Sequence, residues 1–311
     1  MNVKSTPSLS PQDRERFPKL EIRKCVARAG YSCVWTATNT LENDTIGYYV
    51  LKVSRKKKKQ NATAANDESL ERFDRAFSRE VSAYKRLSGT TNSKYFVRLE
   101  AVISLQNNIL PALLLECFTS STQLSKIIER KKYCLHTKLL FKTIVNAVAS
   151  IHACGIVHHD LKPDNILIRH HNVDGDDNNA MVVRNNEIEL KIIDFGMAQP
   201  FSQDLCCAPC GGTPAYSAPE VLWATKHCSS YVDQWSLGAI FFELLTQKQL
   251  VYGQSLNEYR YASLHVDFKT DNAHSKMIED QNALELLGAL MQQIPADRIS
   301  LEKVKENKYF L

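Results

Sequence analysis

Short apolar runs alternate with turn residues through the first third of the chain. Residues 20–27, 33–38, 48–53, 97–103 and 112–117 are rich in Val, Ile, Leu, Tyr and Trp, and such runs bounded by turn residues predict β-strands. A single helical segment is expected among them, over residues 73–87. Beyond Thr119 the period lengthens. Leu140, Ile144, Ala147, Val148 and Ile151 recur at the spacing of one helix face. Residues 231–245 are apolar on nearly every side, which predicts a helix buried all round, and residues 282–292 form another apolar-striped helix. The pattern predicts two halves: a small strand-rich one with a single helix, then a helical one.

Polar stretches interrupt the pattern. Residues 1–18 read as a flexible leader. Residues 55–69 open on a basic run and continue polar, and residues 170–187 are rich in Asn and Asp. Both insertions are expected as solvated loops, with His170 and His171 as exposed turn residues. The predicted parts are 19–116 with the basic insertion 55–69, and 117–311 with the polar insertion 170–187.

Composition narrows the class. At 44% apolar residues over 311 positions, the chain has enough to build a sizeable core. A net charge of +5 is mildly basic and does not imply nucleic acid. No run approaches the roughly 18 apolar residues of a membrane span; the longest, residues 109–118, holds Pro111 and Glu116. Nine scattered cysteines do not suggest a disulfide framework. Cytoplasm or nucleus is the expected setting, with no membrane and no specific nucleic acid as partner.

The densest chemistry lies in His158-His159-Asp160-Leu161-Lys162-Pro163-Asp164-Asn165, followed after the second insertion by Ile192-Ile193-Asp194-Phe195-Gly196. Phosphoryl transfer asks a protein chiefly for positioning and charge neutralisation. Asp160, Lys162, Asn165 and Asp194 supply a carboxylate, a cation, an amide and a second carboxylate, in that order. Downstream come Ser217-Ala218-Pro219-Glu220 and Asp233-Gln234-Trp235-Ser236-Leu237-Gly238. These four segments, in this order, resemble the catalytic loop, magnesium loop, activation-segment end and central helix of the eukaryotic protein kinase superfamily.

The resemblance implies an α+β, two-lobed protein kinase fold, a small antiparallel β lobe with one helix and a larger helical lobe, with ATP held between the lobes, and roles residue by residue. Asp160 resembles the catalytic base and Lys162 its companion at the migrating phosphoryl. Asn165 and Asp194 resemble the ligands of Mg2+, with Mn2+ as an alternative. Lys162-Pro163 and Thr213 resemble the serine/threonine class, with Thr213 in the substrate pocket. Asp233 resembles the aspartate that fixes the catalytic-loop backbone, and Glu220 and Arg298 a structural ion pair. Upstream, Lys52 resembles the ATP-binding lysine of the third strand, with Glu80 as its partner. Val34, Val50 and Leu167 resemble the walls of the adenine pocket. Leu115 resembles its gatekeeper, and Glu116 and Phe118 its hinge. Tyr84, Leu99, His158 and Phe195 resemble the apolar column of the family. The implied partners are a protein with a Ser or Thr acceptor and a regulatory protein.

The chain also departs from the family. Ala27, Ala29 and Ser32 stand where glycines are usual in the phosphate-cradling loop, and Gly30 lies one place off the pattern. Glycine lets backbone amides approach phosphate, so weaker ATP binding is expected. His159 stands where the family usually has arginine, and Pro209 stands at the usual activation-loop acceptor. The two losses together predict a loop that orders without phosphorylation at that position; Ser202 is an alternative acceptor. Val50 adds bulk where alanine is common. A scaffold that does not turn over nucleotide is the rival reading, favoured by the glycine-poor loop and opposed by the complete set of Lys52, Glu80, Asp160, Lys162, Asn165 and Asp194. A small-molecule kinase is a further alternative, opposed by the segment around Thr213. Cys206, Cys207 and Cys210 invite a zinc or redox reading, but no second pair stands at finger spacing. Asp174, Asp176 and Asp177 do not match a calcium loop.

Overall fold

The computed structural model describes residues 6–28, 32–41, 44–54, 65–90, 93–106, 111–130, 137–170, 183–184, 187–201, 212–224, 229–268 and 273–311, with backbone alone for 65–74 and 183–184. The chain forms two compact units, one of Met1–Ser93 and Val97–Thr119, the other of Lys94–Phe96 and Ser120–Leu311.

The first unit opens with α1 (Pro11–Arg16), then β1 (Leu20–Arg28), β2 (Ser32–Thr40) and β3 (Ile46–Ser54). Helix α2 (Ala65–Ser88) separates these from β4 (Leu99–Ile103) and β5 (Ala112–Glu116). The five strands make one antiparallel sheet in the order β1-β2-β3-β5-β4. Period-two alternation explains β2: Cys33, Trp35 and Ala37 are buried, and the residues between them only partly so. Register breaks on either side of Cys25 kink β1, where the Lys24 N–H bonds the Thr36 hydroxyl instead of a ladder carbonyl. Helix α2 buries Glu80, Ala83, Tyr84 and Leu87 along one stripe.

The expected leader is a correction. It is tied to the sheet at a few points: Ser10 N–H donates to the Ser104 carbonyl at 2.9 Å, Gln106 N–H to the Ser8 carbonyl at 2.8 Å, and Leu9 is buried in the core of the sheet. The buried Asp13 carboxylate accepts from Ser104 N–H at 2.7 Å. A polar, proline-containing stretch thus folds because one leucine and one carboxylate find partners on the strand edge. Helix α2 also begins at Ala65, so residues 65–69 are helical rather than loop; residues 55–64 lie outside the described residues. The first unit ends at Thr119 rather than at residue 116, and residues 94–96 belong to the second unit.

The second unit continues with β6 (Ser121–Gln123), α3 (Leu124–Glu129), α4 (Thr137–Ala153), β7 (Ile156–Val157), β8 (Ile166–Arg169), β9 (Val183–Arg184), β10 (Glu187–Ile188), β11 (Leu190–Ile192) and β12 (Gln199–Pro200). Then come α5 (Pro219–Leu222), α6 (Tyr231–Thr246), α7 (Leu256–Leu264), α8 (Gln281–Leu290) and α9 (Leu301–Lys305). Its core is α6, whose residues from Val232 to Phe242 are all buried. Phe241 stacks on Phe141 of α4 with ring centroids 4.1 Å apart. Full burial of each such ring stabilises by roughly 1.5–3 kcal/mol. Gly238 lets α6 approach α8 closely, because a Cβ there would lie 2.4 Å from Met291 Cγ.

The second insertion is also corrected at its ends. His170 is buried at 8% exposure, not an exposed turn residue. Glu187 accepts from Lys94 Nζ at 2.5 Å, Tyr95 hydroxyl at 2.7 Å and Asn146 Nδ2 at 3.1 Å. Residues 171–182, with His171, Asp174, Asp176 and Asp177, lie outside the described residues.

Candidate active site

Each unit carries its own cluster of functional side chains. In the first, β3 directs Lys52 toward α2, where its Nζ lies 2.6 Å from Glu80 Oε1. Their side chains are 16% and 6% exposed, so the pair is largely shielded from solvent. Around it, Lys52 is in register with Val34 on β2 and Leu113 on β5; Val50 with Thr36 and Leu115. Ala27 faces Val34 and Ser32 faces Ser54 across the ladders. Ala29 and Gly30 lie outside the described residues. Glu116 donates its N–H to the Arg98 carbonyl at 2.8 Å and accepts from Arg98 N–H at 3.1 Å, which fixes the end of β5. Phe118 is buried.

In the second unit the site is built on α6. Asp233 lies in the first turn of that helix, where a carboxylate is favoured by the helix dipole. It is fully buried and takes hydrogen bonds from His158 N–H at 2.8 Å, His159 N–H at 3.0 Å and His152 Nε2 at 2.8 Å. Burial alone would push its carboxyl up. The hydrogen bond and charge of His152, with His159 and His158 nearby, outweigh this and hold it below the ordinary carboxylate value. The anchored loop turns through a left-handed residue, His159 at φ 65°, a conformation uncommon for a non-glycine residue.

Asp160 follows directly. Its Oδ1 accepts from Thr213 N–H at 2.9 Å and Thr213 hydroxyl at 3.0 Å; its Oδ2 accepts from Lys162 Nζ at 2.9 Å and Asn165 Nδ2 at 3.3 Å. Lys162 Nζ also reaches Thr213 Oγ1 at 2.6 Å. Asn165 Nδ2 donates to the Asp160 carbonyl at 2.8 Å. Thus the structure brings Asp160, Lys162, Asn165 and Thr213 into one hydrogen-bonded cluster, although Thr213 is far along the chain.

Asp194 sits beside this cluster in the chain path: Ile193 N–H donates to the Asn165 carbonyl at 2.9 Å. Asp194 is again left-handed, φ 66°, and accepts from Gly196 N–H at 3.4 Å. His158 Nε2 meets the Ile193 carbonyl at 3.1 Å and its Nδ1 accepts from Asp160 N–H at 3.2 Å, which defines the Nε2–H tautomer. Its ring lies 5.1 Å from Phe195, so this pair of the expected column is in contact; Tyr84 is buried and Leu99 half-buried on β4. Leu167, half-buried on β8, is in register with Lys191 and Gln123.

Behind the site, Arg298 grips Glu220 through two bonds of 2.6 and 2.8 Å and also donates to the Gln292 and Tyr231 carbonyls. Tyr216 hydroxyl donates to Glu243 at 2.6 Å. Burial and the Glu243 carboxylate push the Tyr216 phenol far up. Sequence reasoning missed His152, Tyr216 and Glu243. Each is an ordinary polar residue within an apolar helix or turn, and only its buried partner marks it; a histidine ending a helix just before the catalytic loop is the one local signal. Ser202, Pro209, Cys206, Cys207 and Cys210 lie outside the described residues. Among the described residues there is no group of three His, Cys, Asp or Glu arranged to hold a metal.

A five-stranded antiparallel unit bearing a Lys–Glu pair and a helical unit bearing the Asp160 cluster are the two parts of the two-lobed kinase fold. The family model for the protein kinase domain matches residues 22–310, and the chain belongs to that family. Among curated relatives, it is 36% identical over 147 residues to myosin light chain kinase A of Dictyostelium discoideum, covering 47% of this chain and 45% of that one. It is 29% identical over 221 residues to CBL-interacting protein kinase 15 of Oryza sativa subsp. japonica, covering 70% and 46%. It is 24% identical over 291 residues to the probable serine/threonine-protein kinase MARK-C of Dictyostelium discoideum, covering 93% and 33%. The chain spans less than half the length of each of these relatives.

Proposed function

We propose that the protein transfers the γ-phosphoryl of ATP to serine or threonine hydroxyls of protein substrates, without phosphorylation at the usual activation-loop position. The observation that carries this reading is the Asp160 carboxylate, shared among Lys162, Asn165 and Thr213. A carboxylate so oriented can accept a hydrogen bond from an attacking hydroxyl and take its proton, while Lys162 offers positive charge to the phosphoryl oxygens. Lys52, held by Glu80, would bind the phosphates of ATP. Thr213 would shape the acceptor site.

Asn165 and Asp194 would hold Mg2+. The donor set fits: Asn165 spends its amide nitrogen on Asp160, which would leave its carbonyl oxygen to a cation, and Asp194 would add a carboxylate. Such hard oxygen donors suit magnesium. When bound, the ion neutralises phosphate charge. An intracellular setting, in cytoplasm or nucleus, and a regulatory partner belong to this reading. Cys25, Cys33, Cys117 and Cys154 are free thiols, in keeping with a reducing compartment.

The test is phosphate transfer from Mg-ATP to generic protein substrates, run beside Asp160→Asn and Lys52→Met. Transfer by the native chain and loss in both variants, each shown folded, supports the reading. A native chain that binds no nucleotide and transfers nothing replaces it with the scaffold reading, which the glycine-poor loop favours.

A further inference from the structure

The segment ahead of β1 is latched to the sheet by a clasp that the phosphotransfer chemistry does not use. Ser10 N–H donates to the Ser104 carbonyl at 2.9 Å. Asp13, only 8% exposed, accepts from Ser104 N–H at 2.7 Å and from the Ser10 hydroxyl at 3.2 Å. Asp13 N–H donates back to that hydroxyl at 3.2 Å. Among the described residues no cation pairs with Asp13. Beside the clasp, Leu9 is buried with Leu20, Trp35, Leu51 and Leu105.

A serine that caps a short helix explains the bond from Asp13 N–H. It does not explain why the carboxylate facing that serine is buried and also holds Ser104. Ser10 itself is half-exposed, with Pro11 and Gln12 exposed beside it. The proline keeps its backbone extended, at φ −58° and ψ 157°. The clasp thus joins a hydroxyl within reach of solvent to a carboxylate that is shielded from it.

We propose that Ser10 is a phosphorylation site and that a phosphate on it opens the clasp. In the transfer, Ser10 Oγ bonds to the γ-phosphorus of ATP and the bond from that phosphorus to its bridging oxygen breaks. ADP leaves with the electron pair, and the hydroxyl proton passes to the base of the acting kinase. Ser10 then has no proton to donate to Asp13, and a dianion stands against a buried carboxylate. Like charges so placed disrupt what they touch. The helix dipole favours an anion at Ser10, yet the Asp13 carboxylate already occupies that turn. Arg14 and Arg16 are exposed, so pairing with them would draw the phosphate outward. Release frees the Ser104 and Gln106 amides and uncovers the slot of Leu9.

The test treats the whole chain with Mg-ATP and a kinase selective for serine or threonine before proline. Two variants are used, Thr6→Ala and Ser10→Ala. Thr6 is exposed and precedes Pro7, so the second variant carries a control phosphate outside the clasp. Mass spectrometry locates the phosphate, and hydrogen exchange compares each protein with its own untreated form. Phosphate is expected at Ser10 of Thr6→Ala, with exchange of the Ser104 and Gln106 amides at least tenfold faster. Phosphate at Thr6 should leave these amides protected. Adding Asp13→Asn to Thr6→Ala should shrink the effect, since an amide still accepts from Ser104 N–H but carries no charge. The proposal is overturned if Ser10 takes no phosphate or if its phosphate leaves exchange unchanged. It is equally overturned if phosphate at Thr6 acts as strongly, or if the Asp13→Asn chain responds in full. None of these readouts depends on phosphotransfer by the chain itself.

Discussion

Arg298 and Glu220 face each other through two nearly parallel hydrogen bonds of 2.6 and 2.8 Å, with the Arg298 side chain wholly buried and Glu220 only 8% exposed. Removing the arginine strands a buried carboxylate, which costs about 3–5 kcal/mol. Arg298→Ala should therefore lower the urea midpoint by an amount equivalent to that loss. Arg298→Lys should recover only part of it, because an ammonium cannot make the two-pronged contact. Loss below about 1 kcal/mol, the typical worth of an exposed pair, would mean that the ion pair is not what holds this corner.

The Asp160 cluster yields a graded series. Asp160→Asn removes the proton acceptor and should lower kcat by about 10²–10⁴-fold. Thr213→Ala removes one of several bonds to the same carboxylate, so its loss should be smaller, on the order of tenfold, or about 1.4 kcal/mol. Steady-state kinetics of the two variants decide this. Equal losses would contradict the graded role of Thr213.

Asp233 makes an acid-side prediction. Its folded value lies below the ordinary 3.8, so its stabilising contribution is complete above the unfolded value and disappears as pH falls through the folded one. The stability gap between native protein and Asp233→Asn should be constant near neutral pH and shrink below about pH 4. Urea unfolding at a series of pH values measures it. A gap that widens in acid would reverse the assignment.

Activity should survive phosphatase treatment, because an imidazole at residue 159 lacks the permanent charge and two-pronged fork with which an arginine receives a phosphate dianion. Treated protein, shown to be phosphate-free by mass spectrometry, is compared with untreated protein. A drop beyond about tenfold would contradict this.

Gly238 tests packing. A Cβ at that position would meet Met291 Cγ at 2.4 Å and Sδ at 2.8 Å, so Gly238→Ala should destabilise by about 1–3 kcal/mol. Met291→Ala in the same chain should relieve part of this, since it removes the colliding atoms. Simple additivity of the two losses, read from unfolding curves, would show that the close approach is not limiting.

The elements legible in the sequence were those whose periodicity is local. The strands of the first unit and the buried helix α6 appear within a few residues of their expected ends. Lys52, Glu80, Asp160, Asn165 and Thr213 could be named because their spacing resembles a family. Their hydrogen bonds could not, since Thr213 meets Asp160 across the fold. What the pattern missed depends on distant partners. Asp13 looks solvated until Ser104 is beside it. His152 reads as a helix end until Asp233 is beneath it. His170 and Glu187 read as loop until burial and hydrogen bonds claim them.

At His159 the fold grips the main chain rather than the side chain: the bond to Asp233 is made by the peptide N–H. The turn is thus held at residue 159 through its backbone shape, while the imidazole contributes charge near Asp233. At φ 65°, asparagine and glycine are admissible there and valine or isoleucine are not. Histidine can therefore replace a cation at this position without displacing Asp160. Responding to regulation and holding a turn are thus separable demands on one residue, and here the second is met through the peptide group.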